Sequence, residues 1–386
     1  MLTIAGNGMG PYDFAHLAIS LDRYDIILCD PHCTHPDPRI LRCSYTEAHA
    51  YILEHYRDQE LLYVVTGSPL FYSAGTLIAN SLPPQQVRII DNTSSKSYLL
   101  SRLMIAAQHV AVLSLHGRTR IDLEQFLQKE YTLILCDRHS IHRLQTATQY
   151  LEHDALRIII GYKLGYTDEQ IVALASFREA EQFDLTQPYV LLLQRTYIPL
   201  PSYREDDAFV TERGMITKRY KRHLSLQHLD LAPNHILWDV GAGSGSCAIE
   251  AHSRYRVKTV LFENKPQRIE NIRKNLRTHH VCDAQLIAGN AAINFVHVAD
   301  APDRIFIGGG GTEVIEKLPD MYARLTPNGI LLIVAVTLAS LTRAIQTLRD
   351  AGITYHVIAL ALTTYKGTWD MAEPERQLFQ IKVIKR

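Results

Sequence analysis

A chain of 386 residues, 47% of them apolar, is long enough for two domains with separate cores. Lys plus Arg and Asp plus Glu each number 40, so no net field draws it to nucleic acid or anionic lipid, and Lys218, Arg219, Lys221 and Arg222 form only a local basic patch. No apolar run approaches the roughly 18 residues of a membrane span, and six scattered cysteines suit reduced thiols in a cytoplasmic protein rather than a disulfide framework.

The chain starts with residues 2–5, a short apolar run with no basic region before it, so no signal peptide is expected. Segments 25–29, 61–65, 87–90, 111–115, 133–136, 157–160 and 189–193 also read as strands, with amphipathic helices at 45–57, 94–107 and 121–129. This alternation predicts α/β layers with largely parallel sheets. Cys29, His32, Cys33, His35 and Cys43 lie among Pro31, Pro36 and Pro38. They lack the two clean ligand pairs of structural zinc sites, so they read as a surface loop and no metal is predicted.

Pro199 and Pro201, followed by Glu205-Asp206-Asp207, break the pattern and mark an extended linker at 198–204. The domains are therefore placed at 1–197 and 205–386. In the second, strands are predicted near 235–240, 257–262, 284–287, 303–307, 329–336, 353–362 and 377–384. They suit a seven-stranded, mostly parallel sheet whose last strand is antiparallel.

The most informative stretch is Ile236-Leu237-Trp238-Asp239-Val240-Gly241-Ala242-Gly243-Ser244-Gly245-Ser246. An apolar strand passes through glycines to a helix start, which is how a parallel sheet presents a nucleotide-like ligand to a helix N-terminus. Ser246 stands where the dinucleotide fingerprint needs its third glycine, and Asp239 would repel a pyrophosphate. A sulfonium donor with an ammonium group tolerates that acid. Glu263, ending the next apolar run, can accept hydrogen bonds from both ribose hydroxyls. The pattern resembles the first motif of S-adenosylmethionine-dependent methyltransferases. The loop 241–246 is then expected to hold the methionine end through backbone N–H groups. Asn290 and Ala291 after the third strand are expected to flank the adenine. Gly308, Gly309, Gly310 and Gly311 after the fourth leave an open floor for a large flat substrate. The Asn/Asp-Pro-Pro-Tyr/Phe tetrapeptide of amine methylases is missing there, and with the zero net charge this weighs against the alternative, an RNA (tRNA) methyltransferase.

Five motifs follow in one order: 206–209 (Asp-Asp-Ala-Phe), 214–219 (Gly-Met-Ile-Thr-Lys-Arg), 238–246, 307–310 and 335–338 (Ala-Val-Thr-Leu). The series closely resembles the decarboxylating methyltransferase domains of cobalamin biosynthesis. Residues 6–11 (Gly-Asn-Gly-Met-Gly-Pro), 66–72 (Thr-Gly-Ser-Pro-Leu-Phe-Tyr) and 114–118 (Ser-Leu-His-Gly-Arg) resemble the two-lobed tetrapyrrole (corrin/porphyrin) methylases. That family usually carries Gly-Asp-Pro at the second of these sites, where this chain has Ser68.

The paired resemblance implies methylation of precorrin-6B at C5 by the first domain and at C15 by the second. It also implies loss of carbon dioxide from the C12 acetate to give precorrin-8. One S-adenosylmethionine site per domain and a homo-oligomer are implied too. In the first domain it assigns donor binding to Gly8, Pro11, Thr66, Gly67, Ser68, Phe71, Ser94, His116 and Gly117. Arg118 would meet a substrate carboxylate, and Phe71 and Tyr72 could stack on a ring. In the second domain it adds Thr217 and Lys218, expected to orient the acetate while the conjugated ring takes up the electrons. Methyl transfer itself needs alignment rather than a nucleophile–base pair.

Overall fold

In the computed structural model every residue is described except 18, 32, 118–120, 122, 124–126, 198–202 and 368–370. Compact grouping gives two units. The first holds 1–119, 129–142 and 156–196; the second holds 120–128, 143–155 and 197–386. The placement of 120–128 and 143–155 differs from a simple cut at the linker. Residues 122 and 124–126 of the helix expected at 121–129, most of the linker, His32 and Arg118 lie outside the described residues.

The first unit contains two five-stranded sheets. One is fully parallel, in the order β3-β2-β4-β1-β5: β1 Leu2–Gly6, β2 Ile26–Cys29, β3 Ile40–Arg42, β4 Leu61–Val65 and β5 Val87–Ile90. Its central strands β1 and β4 are buried at every residue, as continuous apolar runs require when both faces are covered. The helix Tyr45–His55 starts on a capping box between Ser44 and Glu47. The helix Ser95–Leu103 stops short of the expected 107 because Met104 turns left-handed, φ +56°.

The second sheet, in the order β6-β7-β10-β8-β9, corrects the expectation of largely parallel pairing: β6 Val110–Ser114, β7 Tyr131–Leu135, β8 Leu156–Tyr162, β9 Gln170–Leu174 and β10 Tyr189–Arg195. Only β6 and β7 are parallel; β10 runs against both β7 and β8, and β8 against β9. The connection from β8 to β9 is too short for a crossover, which needs about a dozen residues. It turns instead through Lys163 (φ +48°) and Gly165 (φ +81°).

The second unit carries the seven-stranded sheet β13-β12-β11-β14-β15-β19-β16. Its strands are β11 Ile236–Val240, β12 Lys258–Glu263, β13 Ala284–Ala288, β14 Arg304–Ile307, β15 Ile330–Ala335, β16 His356–Leu360 and β19 Leu378–Ile384. Between the last two lies a hairpin that the sequence did not suggest, β17 Thr363–Lys366 and β18 Met371–Pro374. β11 to β15 are parallel, and β19 is antiparallel to both β15 and β16, as expected. Trp238 and Phe262, from adjacent strands, meet with ring centroids 5.6 Å apart inside the core. This rigid centre delivers the ends of β11, β12, β13 and β14 to one edge of the sheet, where open α/β sheets bind their ligands.

Candidate active site

Beyond β11 the chain turns through Gly241 (φ +71°), Gly243 (+62°) and Gly245 (+76°) into the helix Ser246–Tyr255. These left-handed positions favour glycine. Gly241 has a second reason: a Cβ there would lie 2.7 Å from Gly309 Cα. The Gly308 amide also donates to the Val240 carbonyl at 3.0 Å. The turn after β11 therefore touches the glycine run after β14, backbone to backbone, and Gly308 to Gly311 are exposed. Gly308, Gly309 and Gly310, from which an open floor is expected, add no side chain beside this contact.

Glu263 ends β12 and is 4% exposed. Its Oε2 accepts the Gly243 amide at 2.9 Å, and its Oε1 accepts the Asn264 and Lys265 amides at 2.9 and 3.0 Å. Asp239 is 1% exposed, and its Oδ2 accepts the Ala248 amide at 3.2 Å, in the first turn of the helix. Burial pushes its carboxyl up to about 7, against the pull of the Ala248 amide, and the charge of Glu263 adds to the rise.

These bonds alter the expected role of the turn. The Gly241 and Ala242 amides both donate to the Phe262 carbonyl, Gly243 donates to Glu263, and Gly245 donates to the Ala242 carbonyl. Four amides of the turn are thus taken up by the protein, because a buried turn must satisfy its own polar groups. Ser244 and Ser246 are buried, and the Ser244 carbonyl is held by Asn275 Nδ2 at 2.8 Å. Asn275, which pattern reading missed, also exchanges two bonds with the Val210 backbone. Its helical position gave no sign of this reach.

Past β13, the Gly289 amide donates to the Glu263 carbonyl at 2.8 Å. Asn290 caps the next turn through the Ala292 amide, at 3.0 Å, and its Nδ2 donates to the carboxylate of Glu313. Glu313 lies in the helix Gly311–Glu316, so one side-chain contact joins the loop beside Ala291 to the loop carrying the glycine run. Ala291 is buried.

Thr217 and Lys218 precede the helix Arg219–His228. The Thr217 hydroxyl bonds Cys247, in the first turn after the glycine loop, which brings it beside the site. Burial pushes the Cys247 thiol up, which favours the protonated form over the thiolate. Lys218 is half exposed and pairs with Asp206 at 3.3 Å. Beneath them Arg222 is fully buried. It donates to Asp206 (3.0 Å), Glu250 (2.9 Å) and the Thr217 carbonyl (2.6 Å). Removing one member of such a buried pair typically costs about 3–5 kcal/mol. Arg222, counted at first as part of a basic patch, is an internal clamp that sets Thr217 in place, and Lys221 is buried against Glu375 at 3.0 Å.

In the first unit, the loops after β1 and β4 cross as an antiparallel bridge. The Gly8 amide donates to the Gly67 carbonyl at 3.1 Å and the Gly67 amide to the Gly8 carbonyl at 2.9 Å. Pro11 closes its loop by accepting the Asn7 side chain at 3.1 Å. Thr66 is exposed and shares a hydroxyl contact with Tyr12. Ser94 is buried and caps the helix Ser95–Leu103, its Cα near Gly67. Ser68 is buried against Asp91. Phe71 packs partly into the core around Leu99 and Leu164, while Tyr72 is exposed with φ +47°. His116 and Gly117 follow β6 in the other sheet and are exposed.

The seven-stranded order, with its last-paired strand reversed and a glycine turn over two acids, defines a class I methyltransferase fold. Residues 207–385 match the precorrin methyltransferase domain, and residues 22–179 match the tetrapyrrole (corrin/porphyrin) methylases. The chain belongs to this family of precorrin methyltransferases, with a tetrapyrrole methylase segment ahead of a precorrin methyltransferase domain. It is 27% identical over 276 residues to precorrin-6Y C(5,15)-methyltransferase [decarboxylating] of Sinorhizobium sp; the match covers 67% of this chain and spans 64% of that relative's length. A probable cobalt-precorrin-6B C(15)-methyltransferase (decarboxylating) of Sulfolobus acidocaldarius is 30% identical, over 42% of this chain and 88% of its own. A solved precorrin-6y C5,15-methyltransferase structure from Geobacter metallireducens is 32% identical, with a TM-score of 0.46, over 49% of this chain and 100% of that one. Among the described residues no helix is long and apolar enough to cross a membrane. Nor does any group of three or more His, Cys, Asp or Glu among them form a candidate metal site.

Proposed function

We propose that the chain methylates precorrin-6B at C5 and C15, with S-adenosylmethionine as donor, and decarboxylates the C12 acetate, which leaves carbon dioxide and, after a proton is taken up, a methyl group at C12, to give precorrin-8. Methylation at C15 and decarboxylation belong to the second unit, and methylation at C5 to the first. The single observation that carries this reading is the backbone contact between Gly241 and Gly309, flanked by Glu263 and Asp239. Side chains on these glycines would fill the place where donor and acceptor must meet.

The residues suit such a donor. Glu263 is oriented by three amides, and its oxygens keep capacity for ribose hydroxyls. Asp239 is a buried anion-to-be that a cation would favour in its ionised form. Bound S-adenosylmethionine would supply an electrophilic methyl group on a sulfonium. The chain's own part is to align that methyl with a ring carbon over Gly308–Gly310 and to exclude water. Thr217, fixed by Arg222 and Cys247, and Lys218 orient the acetate, and the conjugated macrocycle accepts the electron pair left when the carbon–carbon bond breaks. Asn290 and Ala291 border the adenine, and Gly8, Pro11, Thr66, Gly67, Ser68, Phe71 and Ser94 form the first unit's donor site.

Incubation with methyl-labelled S-adenosylmethionine and precorrin-6B, read by mass spectrometry, tests the reading. It expects two labelled methyl groups gained and one carbon dioxide lost. A product with the acetate intact would refute the decarboxylating role, and one with a single methyl would refute the division between units.

A further inference from the structure

The parallel sheet of the first unit ends in two carboxylates, one on each side of the Gly8–Gly67 crossing. Asp30 follows β2, and its Oδ2 receives the Tyr12 and Thr66 hydroxyls. Asp91 follows β5 on the other side. The register pairs Ala5 with Ile90, so Asp91 falls beside Gly6, the residue that leads into the crossing. The neighbouring Asn92 side chain donates to the Gly6 carbonyl at 3.0 Å and holds this loop against β1.

Ser68 aims the Asp91 carboxylate. Its Oγ accepts the Leu70 amide at 3.1 Å and gives its only hydrogen to Asp91 Oδ1 at 2.5 Å. Ser68 is 6% exposed, whereas Asp91 is exposed. One carboxylate oxygen is therefore pinned, and the other is left for a partner. The hydroxyl at position 68 is neutral and offers no charge of its own; it holds the carboxylate of the residue that follows β5.

We propose that Asp91, oriented by Ser68, is the anionic group of the first unit's donor site and takes the ammonium end of the methyl donor. This rests on the reading that the first unit binds a donor of its own. The chemistry is a charge-assisted hydrogen bond between an ammonium and an oriented carboxylate. Asp91 is a binding residue and Ser68 is its positioning residue.

The test is calorimetric titration of the full chain with S-adenosylhomocysteine, which keeps the ammonium. Wild type is expected to bind two equivalents. Asp91→Asn keeps an acceptor for Ser68 but loses the charge. It should weaken one equivalent by at least about tenfold and leave the melting temperature unchanged. Glu263→Gln, in the second unit, should weaken the other equivalent instead. The double variant Ser68→Asp with Asp91→Asn returns a carboxylate to the crevice and should recover most of the lost affinity. Two equivalents with Asp91→Asn unaltered overturn this proposal alone. A wild type with one equivalent, abolished by Glu263→Gln, removes the donor site of the first unit and the proposal with it.

Discussion

The Gly243 amide donates to Glu263 Oε2 at 2.9 Å, tying the turn after β11 to the end of β12. The acid is thus an architectural partner of the glycine loop as well as a candidate ribose ligand. Glu263→Gln replaces one acceptor oxygen with an NH₂ group, which must then face backbone N–H donors. A loss of about 1–3 kcal/mol in stability is expected, with KM for the donor raised more than kcat is lowered. Denaturant titration and donor-dependent kinetics check this.

The raised carboxyl of Asp239 makes stability and binding depend on pH. In the unfolded chain it ionises near 3.8, while in the fold it holds its proton until about 7. The cost to folding is absent at low pH, grows between these two values, and levels off above them at an upper bound of about 4 kcal/mol. Asp239→Asn should therefore melt higher than the parent at pH 8 and at the same temperature below about pH 4. A cationic donor favours the ionised form, so donor affinity should climb with pH to about 7 and then flatten, and the Asn variant should lose this dependence.

Two glycines of the site separate folding from function. A Cβ on Gly309 meets nothing closer than 3.7 Å, whereas one on Gly241 would lie 2.7 Å from Gly309 with φ at +71°. Gly241→Ala is expected to cost several kcal/mol, on the order of other strained backbone sites. Gly309→Leu should fold normally and bind donor, yet lose most methylation of a tetrapyrrole, because its side chain occupies the floor. Melting curves beside product assays distinguish the two.

Much of this site was legible because each strand end announces itself by a change of residue type. The apolar run closed by Asp239 and the glycines, the run closed by Glu263, and Gly308–Gly311 all fall at one edge once the strand order is known. What could not be read were contacts made across the sequence. Asn275 reaches the Ser244 carbonyl, Glu313 reaches Asn290, and Arg222 is buried between Asp206 and Glu250. No local period marks such pairs. The mixed second sheet of the first unit was missed for the same reason, since an apolar run such as Leu156–Tyr162 carries no mark of strand direction.

His279 supplies an acid-sensitive point. Its Nδ1 accepts from Arg204 Nε at 3.0 Å and its Nε2 donates to the Ala208 carbonyl, so the ring is neutral. Burial, helped by the Arg204 charge, lowers it to about 4 from the ordinary 6.5. Unfolded chains take up the proton first, so stability should fall as pH drops from about 6.5 to about 4, by up to about 3 kcal/mol. His279→Gln should flatten that part of the stability curve.

Thr217 and Lys218 divide the chemistry. Thr217→Ala with Lys218→Ala should slow carbon dioxide release by about tenfold or more while donor binding holds. An unaltered release rate would leave the acetate to other groups.

The most direct measurement is a crystal structure with S-adenosylhomocysteine and the protein at full length. The account expects the ligand in the crevice opened by Gly241, its ribose on Glu263 and its sulfur facing Gly308–Gly310. An empty crevice, or a dinucleotide preferred there, would contradict it.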